Sequence, residues 1–454
     1  MKKTFKLFTL IITFLTLSNS CFALSIGKIE KLVNNTELDK TSTISISIRD
    51  TANNNIVYEK NADKLLHPAS TLKIPATYFA INTLGYDYFF KTQFYKDSDN
   101  NLYIKLGADP LLKTSQLKEA FQKIKEKNLS TFNNLYIDDS IIDKKEFAPG
   151  WMWDDDVNPY TPKISAYNLD ENIIKANVTQ IDDNTMTVST LSKYPMSIFG
   201  YIKKDAKSDY FEINRYNWNN PELVEIYGKT VIPRQIAIPI SSMRRYFIYN
   251  LDKILDDNRI TIKSTLYASK LVPKNAELIY EISNPITPTL IGILHKSNNI
   301  MSETLFKLAG GQTYNSTGTD DLGIYAMIDF YKKLNVSFDP IIIKDGCGIS
   351  RKNLVSTNWL TMTLDKIYKD KNFEQFKEYL AQAGDGTLNE RLYDLRGEAW
   401  LKTGSLSNIS TIAGYVNSLD GNTYSIAIFI ENFQENQKEI KKLEDKIITI
   451  IYNR

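Results

Sequence analysis

The sequence predicts an α/β (α+β) fold in which one compact unit is split by a long β-rich insertion. Three observations carry this. Near the N-terminus, residues 43–60 alternate like a strand pair and a helical stretch follows. From Pro288 to the C-terminus, helices, three strands and a last helix can be read from apolar spacing. Between them, short β-like runs alternate with Asn- and Asp-rich turns. The two ends together look like one unit, and the middle like an insertion.

The first 23 residues stand apart. Lys2, Lys3 and Lys6 precede an apolar run of 11 residues, Leu7–Leu17. A bilayer-spanning helix needs about 20. Cys21-Phe22-Ala23 places small residues where a signal peptidase cuts, so residues 1–23 read as a secretory signal cleaved after Ala23. The competing reading lipidates Cys21, but Ser18 stands where such signals usually carry Leu. Without Lys2, Lys3 and Lys6, the 55 basic residues fall to 52 against 53 acidic. The precursor's +2 thus becomes −1, with no electrostatic grip on nucleic acid. Cys347 is left as the one cysteine, which rules out an internal disulfide. No later stretch has the length of a membrane helix, which predicts a soluble mature protein without a stable membrane anchor, exported to the periplasm.

The elements follow in order. Thr43–Ile48 alternates at period 2, and Asn55–Glu59 returns after the turn Ala52-Asn53-Asn54. His67-Pro68-Ala69-Ser70 opens a helix that runs to about Leu84 and stops at Gly85. Pro75 must lie near its first turn or kink it, having no N–H to donate. In the segment 86–285, the runs 102–106, 135–138, 186–189 and 235–238 read as strands, and 115–127 as the clearest helix. Residues 288–294, 299–309 and 322–333 then read as helices, and 399–405, 412–416 and 424–431 as strands. In the last helix, 439–452, Ile440, Leu443, Ile447, Ile450 and Ile451 form one stripe that fits a sheet face. The resulting organisation is 1–23 signal, 24–85 first segment, 86–285 insertion of one or two domains, and 286–454 second segment.

Histidine is scarce: His67 and His295 are the two in the chain. A multi-histidine metal site is thereby excluded, and no metal or cofactor is expected. A serine–lysine chemistry is not excluded. Ser70-Thr71-Leu72-Lys73 sets a hydroxyl and an amine at i, i+3 on one helix face. A serine needs a base to become nucleophilic. A desolvated lysine near another cation has its pKa lowered and can be that base. By itself the pattern also describes a capping serine and a solvated lysine. Ser297-Asn298-Asn299 precedes an apolar helix and could simply cap it. Lys402-Thr403-Gly404-Ser405 lies on a strand, where the glycine admits a close backbone approach, or where Lys402 is only a surface charge. The order SxxK, SxN, KTG, each on a fitting element, matches the motif set of β-lactamases and penicillin-binding proteins.

On these motifs the chain resembles the D-alanyl-D-alanine carboxypeptidase/endopeptidase family, the class C low-molecular-mass penicillin-binding proteins. Pro149-Gly150-Trp151-Met152-Trp153-Asp154-Asp155, Asp345-Gly346-Cys347-Gly348-Ile349-Ser350-Arg351 and Ala383-Gly384-Asp385-Gly386-Thr387-Leu388 resemble further family segments. The resemblance runs from about residue 40 to 430. It implies a penicilloyl serine transferase, β-lactamase-like catalytic domain split by the insertion; Ser70 and Ser297 lie 227 residues apart. It implies Ser70 as nucleophile, Lys73 as base, Ser297 as proton relay, Lys402 as source of positive field, and Asn299 on the substrate's peptide oxygen. Thr403 would take the terminal carboxylate, Gly404 the close approach, and the N–H groups of Ser70 and Ser405 the oxyanion. Asp155 and Arg351 match positions near the stem-peptide side chain, where a structural salt bridge is the plainer alternative. Peptidoglycan stem peptides and β-lactams are the implied partners, and a homo-oligomer stays open. Cys347 stands where the family has Ser and reads as a small buried residue. Ser407 stands where some relatives have Gln, and His67 and His295 match no family role. Two other functions compete: a β-lactamase on the same scaffold, and a catalytically silent wall-binding scaffold.

Overall fold

The computed structural model describes residues 26–454 except 37, 206, 208–209, 216–219, 221 and 265–266. The signal segment 1–23 lies outside the described residues. By contact, the chain forms two compact units. Among the described residues, one comprises 26–79, 291–297 and 327–454, and the other 80–290 and 298–326.

The first unit is built on a six-stranded sheet. Its order is Ala381–Gln382, Ala399–Leu406, Ile409–Asn417, Thr423–Glu431, Thr43–Asp50, Ile56–Lys60. All neighbours are antiparallel, so the first and last thirds of the chain meet where Thr43–Asp50 pairs with Thr423–Glu431. Alternation such as TISISI ordinarily marks one solvated face. Here both faces are buried. Ile44, Ile46 and Ile48 join a core with Ile29 and Val33 of helix 26–34 and Ile440, Ile447 and Ile451 of helix Gln437–Tyr452. Ser45 and Ser47 face the other way and meet Thr357 and Thr361 of helix Thr357–Tyr368, each pair at 2.8 Å. The polar face is thus satisfied by side-chain hydroxyls rather than water. The stripe on the last helix packs on the sheet as its spacing predicts. Glu444 of that helix is buried too, held by Arg391 (2.8 Å) and by the Ser410 hydroxyl (2.7 Å).

The second unit contains two larger sheets. One runs Tyr267–Ser269, Leu135–Asp138, Leu102–Lys105, Phe89–Lys96, Glu277–Pro285, with helix Thr114–Glu126 packed on it. The other runs Tyr210–Asn214, Leu223–Thr230, Ser197–Lys204, Thr185–Thr190, Ile173–Gln180, Arg234–Pro239 around its own core of Val178, Ile202, Val224, Ile226 and Ile238. The β-rich character of the middle is as read, but one long helix was not. Met243–Asn258 is capped by the Ser242 side chain and buries Met243, Tyr246, Phe247, Leu251, Ile254 and Leu255. Its apolar residues keep helical spacing, but six charges interleave them and mask the pattern. The helix Asn299–Tyr314 also belongs to this unit by contact.

Candidate active site

The turn that carries Ser70 begins with backbone, not side chains. Ala69 has φ +43°, a left-handed conformation uncommon for a residue with a Cβ. Ala69–Leu72 forms one 3-10 turn, and Lys73–Leu84 continues as α-helix. Pro75 therefore falls in the first helical turn, where its missing N–H costs nothing. The Pro68 carbonyl accepts from the Thr71 hydroxyl (2.6 Å) and the Thr411 hydroxyl (2.9 Å), tying the turn to the sheet.

Lys73 is fully buried, and its Nζ donates to Ser70 Oγ at 2.9 Å and to the Cys347 carbonyl at 2.6 Å. The second contact explains the 345–351 segment. Asp345 accepts from the amides of Gly348 (2.8 Å) and Ser350 (2.6 Å) and from the Asn353 carboxamide (2.7 Å). This ties the loop into one shape. Gly348 has φ +87°, and a Cβ there would lie 1.8 Å from the Ala69 carbonyl oxygen, so only glycine lets the loop touch the Ser70 turn. Cys347 is buried, as its reading predicts, with Sγ 3.6 Å from Asp345. The lysine meets its carbonyl, not its sulfur.

A second serine–lysine pair sits in the same unit. Lys402 Nζ donates to Ser297 Oγ at 2.9 Å and to the Thr403 carbonyl at 2.8 Å. Lys402 is fully buried. Desolvation, and secondly the charge of Lys73, push its pKa well below the ordinary lysine value. At Gly404 a Cβ would stand 2.2 Å from Thr411 Oγ1 and 2.8 Å from the Ser70 amide nitrogen. The KTG strand thus lies directly against the Ser70 amide. Thr403 is half-buried and Ser405 exposed on its free side. The neighbouring strand Ala381–Gln382 pairs only with Trp400 and Leu401.

The structure brings Ser70, Lys73, Ser297, Lys402, Thr403, Gly404, Ser405 and Arg351 into the first unit and places Asn299 and Asp155 in the second. Ser297 has φ +65° and leads into Asn298, which caps helix Asn299–Tyr314 by accepting from the Met301 amide at 3.0 Å. The cap is thus Asn298, and Ser297 is turned to Lys402. Asn299 donates to the Tyr160 carbonyl at 2.6 Å. In the loop containing Trp151 and Trp153, Asp155 accepts from the Met152 amide at 2.8 Å. Arg351 is half-buried, and its carbonyl accepts from His67 Nε2 at 3.1 Å. Ser407 lies exposed in the turn after the KTG strand. His295 meets Asp385 at 3.2 Å, and its carbonyl accepts from the Thr387 amide, so the 383–388 segment props the approach to Ser297. Sequence reasoning named Asp345 only as part of a family segment and gave no role to the Cys347 carbonyl, Thr411 or His67. Asp345 and Gly348 had a signal, an Asx-Gly-x-Gly loop; a backbone acceptor had none.

Known proteins resemble this chain along most of its length. The profile of the D-Ala-D-Ala carboxypeptidase 3 (S13) family matches residues 26–451. The D-alanyl-D-alanine carboxypeptidase DacB of Haemophilus influenzae is 22% identical over 427 residues, 89% of this chain and 88% of that protein. A D-alanyl-D-alanine carboxypeptidase from an Actinomadura strain is 23% identical over 410 residues, 83% of this chain and 75% of that protein. Among solved structures, penicillin binding protein 4 (dacB) of H. influenzae superposes with TM-score 0.82 at 20% identity, covering 94% of this chain and 99% of that one. It has also been solved complexed with a novel β-lactam. The fold is therefore the penicillin-binding, penicilloyl serine transferase fold.

Proposed function

The chain belongs to the D-Ala-D-Ala carboxypeptidase 3 (S13) family, and on that premise we propose that Ser70 opens the D-Ala-D-Ala bond of peptidoglycan stem peptides through an acyl-enzyme. As a serine-type D-Ala-D-Ala carboxypeptidase it acts on peptidoglycan. The residue roles rest on one observation above all: buried Lys73 donates to Ser70 Oγ at 2.9 Å. In its neutral form Lys73 takes the Ser70 proton as Oγ adds to the carbonyl of the penultimate D-Ala. The oxyanion forms beside the Ser70 amide and, across the substrate, the Ser405 amide; each such donor is worth about 2.7–4 kcal/mol. Ser297, in contact with Lys402, passes a proton to the leaving amine as the C–N bond breaks. Water then adds to the ester and frees Ser70. Thr403 holds the terminal carboxylate, Gly404 the close approach and Asn299 the peptide oxygen. Asp155 and Arg351 meet the charged end of the stem-peptide side chain. A cross-link releases the side-chain amine of a second stem peptide instead of free D-Ala, so endopeptidase action uses the same acyl-enzyme. No described helix is long and apolar enough to span a membrane. The reading includes export by residues 1–23 to the periplasm without a stable anchor.

β-Lactams enter as covalent inhibitors, and their adducts test the proposal. Labelled penicillin is expected to give a long-lived adduct that Ser70→Ala abolishes. Lys73→Ala is expected to slow its formation by about 10²–10⁴-fold. Rapid release of hydrolysed drug would make the chain a β-lactamase, and no adduct at all would make it a silent scaffold.

A further inference from the structure

His67 lies three residues before the nucleophile, and the mechanism above does not use it. Its ring stands between two acceptors. Nδ1 is 3.2 and 3.3 Å from the two carboxylate oxygens of Glu431, at the end of strand Thr423–Glu431. Nε2 is 3.1 Å from the backbone carbonyl of Arg351. The His67 amide also donates to Glu431. A carbonyl and an ionised carboxylate only accept hydrogen bonds. A neutral imidazole carries one N–H and can serve one of them. Both contacts are made together only when both ring nitrogens carry protons.

We propose that His67 is a positioning residue whose doubly protonated ring holds the Arg351 loop in place for substrates with a side-chain carboxylate. The proposal rests on the Arg351 subsite reading given above. Glu431 is nearly buried and needs a charged partner, which fixes the Nδ1 proton. The charged groups facing the ring are Glu431 on the strand and Arg351 on the loop. The hydrogen bond to Glu431 is the largest influence and leaves the His67 pKa raised above 6.5; burial and the Arg351 charge oppose it. The sign follows. The two-sided hold is complete below 6.5 and is lost as pH rises through the raised value. The charge-assisted contact to Glu431 is the stronger, so the Arg351 carbonyl loses its donor first. The loop carrying Arg351 is then held by fewer contacts, while the Ser70–Lys73 pair is untouched.

The test measures KM and kcat between pH 6 and 9 on two substrates, one with a side-chain carboxylate and one D-Ala-D-Ala tripeptide without it. For the first, KM is expected to rise on the order of tenfold through the His67 titration, the effect of one charge-assisted hydrogen bond. kcat should not share this step, and the second substrate should show none. Titration of the catalytic lysines would alter both substrates alike. His67→Gln, with a single carboxamide and no charge, should show no KM step. Arg351→Ala should lose the preference for the carboxylate at every pH. Penicillin acylation checks that each variant is folded. A KM step that survives in His67→Gln, or that is equal on both substrates, overturns the His67 proposal alone. A preference that survives in Arg351→Ala overturns the subsite reading and the proposal with it.

Discussion

Lys402 shows at single-residue scale how the site is held against its own stability. A buried ammonium whose pKa is depressed by desolvation and by Lys73 is a cost to folding. The folded state binds fewer protons than the unfolded one between that depressed pKa and 10.5. Lys402 therefore makes stability rise with pH across that window and leaves it level, at its lower value, below the depressed pKa. Lys402→Met keeps the length and removes the charge. It is expected to abolish acylation while stabilising the fold by about 0.5–2 kcal/mol at neutral pH. Denaturant melts at pH 7 and 9 check both parts: the variant should gain at pH 7 and lose the Lys402 slope. At this scale the sequence was legible where chemistry needs a side chain. Ser70, Lys73, Ser297 and Lys402 were named from spacing and order, and each lysine meets its serine at 2.9 Å. The Cys347 carbonyl was not legible, because any residue supplies the same acceptor. His67 was given no role because one histidine carries no spacing.

At the scale of elements, the site is three backbones brought unusually close. The loop at Gly348 touches Ala69, and the strand at Gly404 touches the Ser70 amide. Gly404→Ala would drive a methyl against Thr411 Oγ1 and the Ser70 nitrogen. The strand must then shift, and a displacement of about 1 Å at reacting groups costs on the order of 10²-fold in rate. We expect penicillin acylation to fall by that order and stability by about 1–3 kcal/mol. Stopped-flow acylation and a melt measure the two separately; unchanged acylation would show that the strand does not rest on the turn. Strands with alternation and helices with clean stripes were readable. The helix Met243–Asn258 was not, because its charges lie within the apolar pattern. Nor could TISISI reveal that its serines face Thr357 and Thr361, more than 300 residues away. Alternation reports chemistry of a face, not what covers it.

On the scale of the molecule, each unit contains a hydrophobic core cluster of its own, and the chain passes between the units several times. Calorimetry is expected to show an unfolding enthalpy larger than the van't Hoff value, or resolved transitions, because two cores need not melt together. Equality of the two enthalpies would mean a single cooperative unit. Ala381–Gln382 stops pairing after Leu401, so among the described residues no strand faces the sheet edge from Lys402 to Leu406. An open edge is a template for any extended chain, including another copy of the same protein. On the proposed mechanism, the usual protections, a covering helix or a proline, would close it to substrate as well. What remains is shortness, a few residues of edge, and polar Ser405 and Ser407 at its exposed end. The enzyme thus carries in its working surface a standing aggregation liability, and high-concentration stocks should keep best with that edge occupied by a covalent β-lactam.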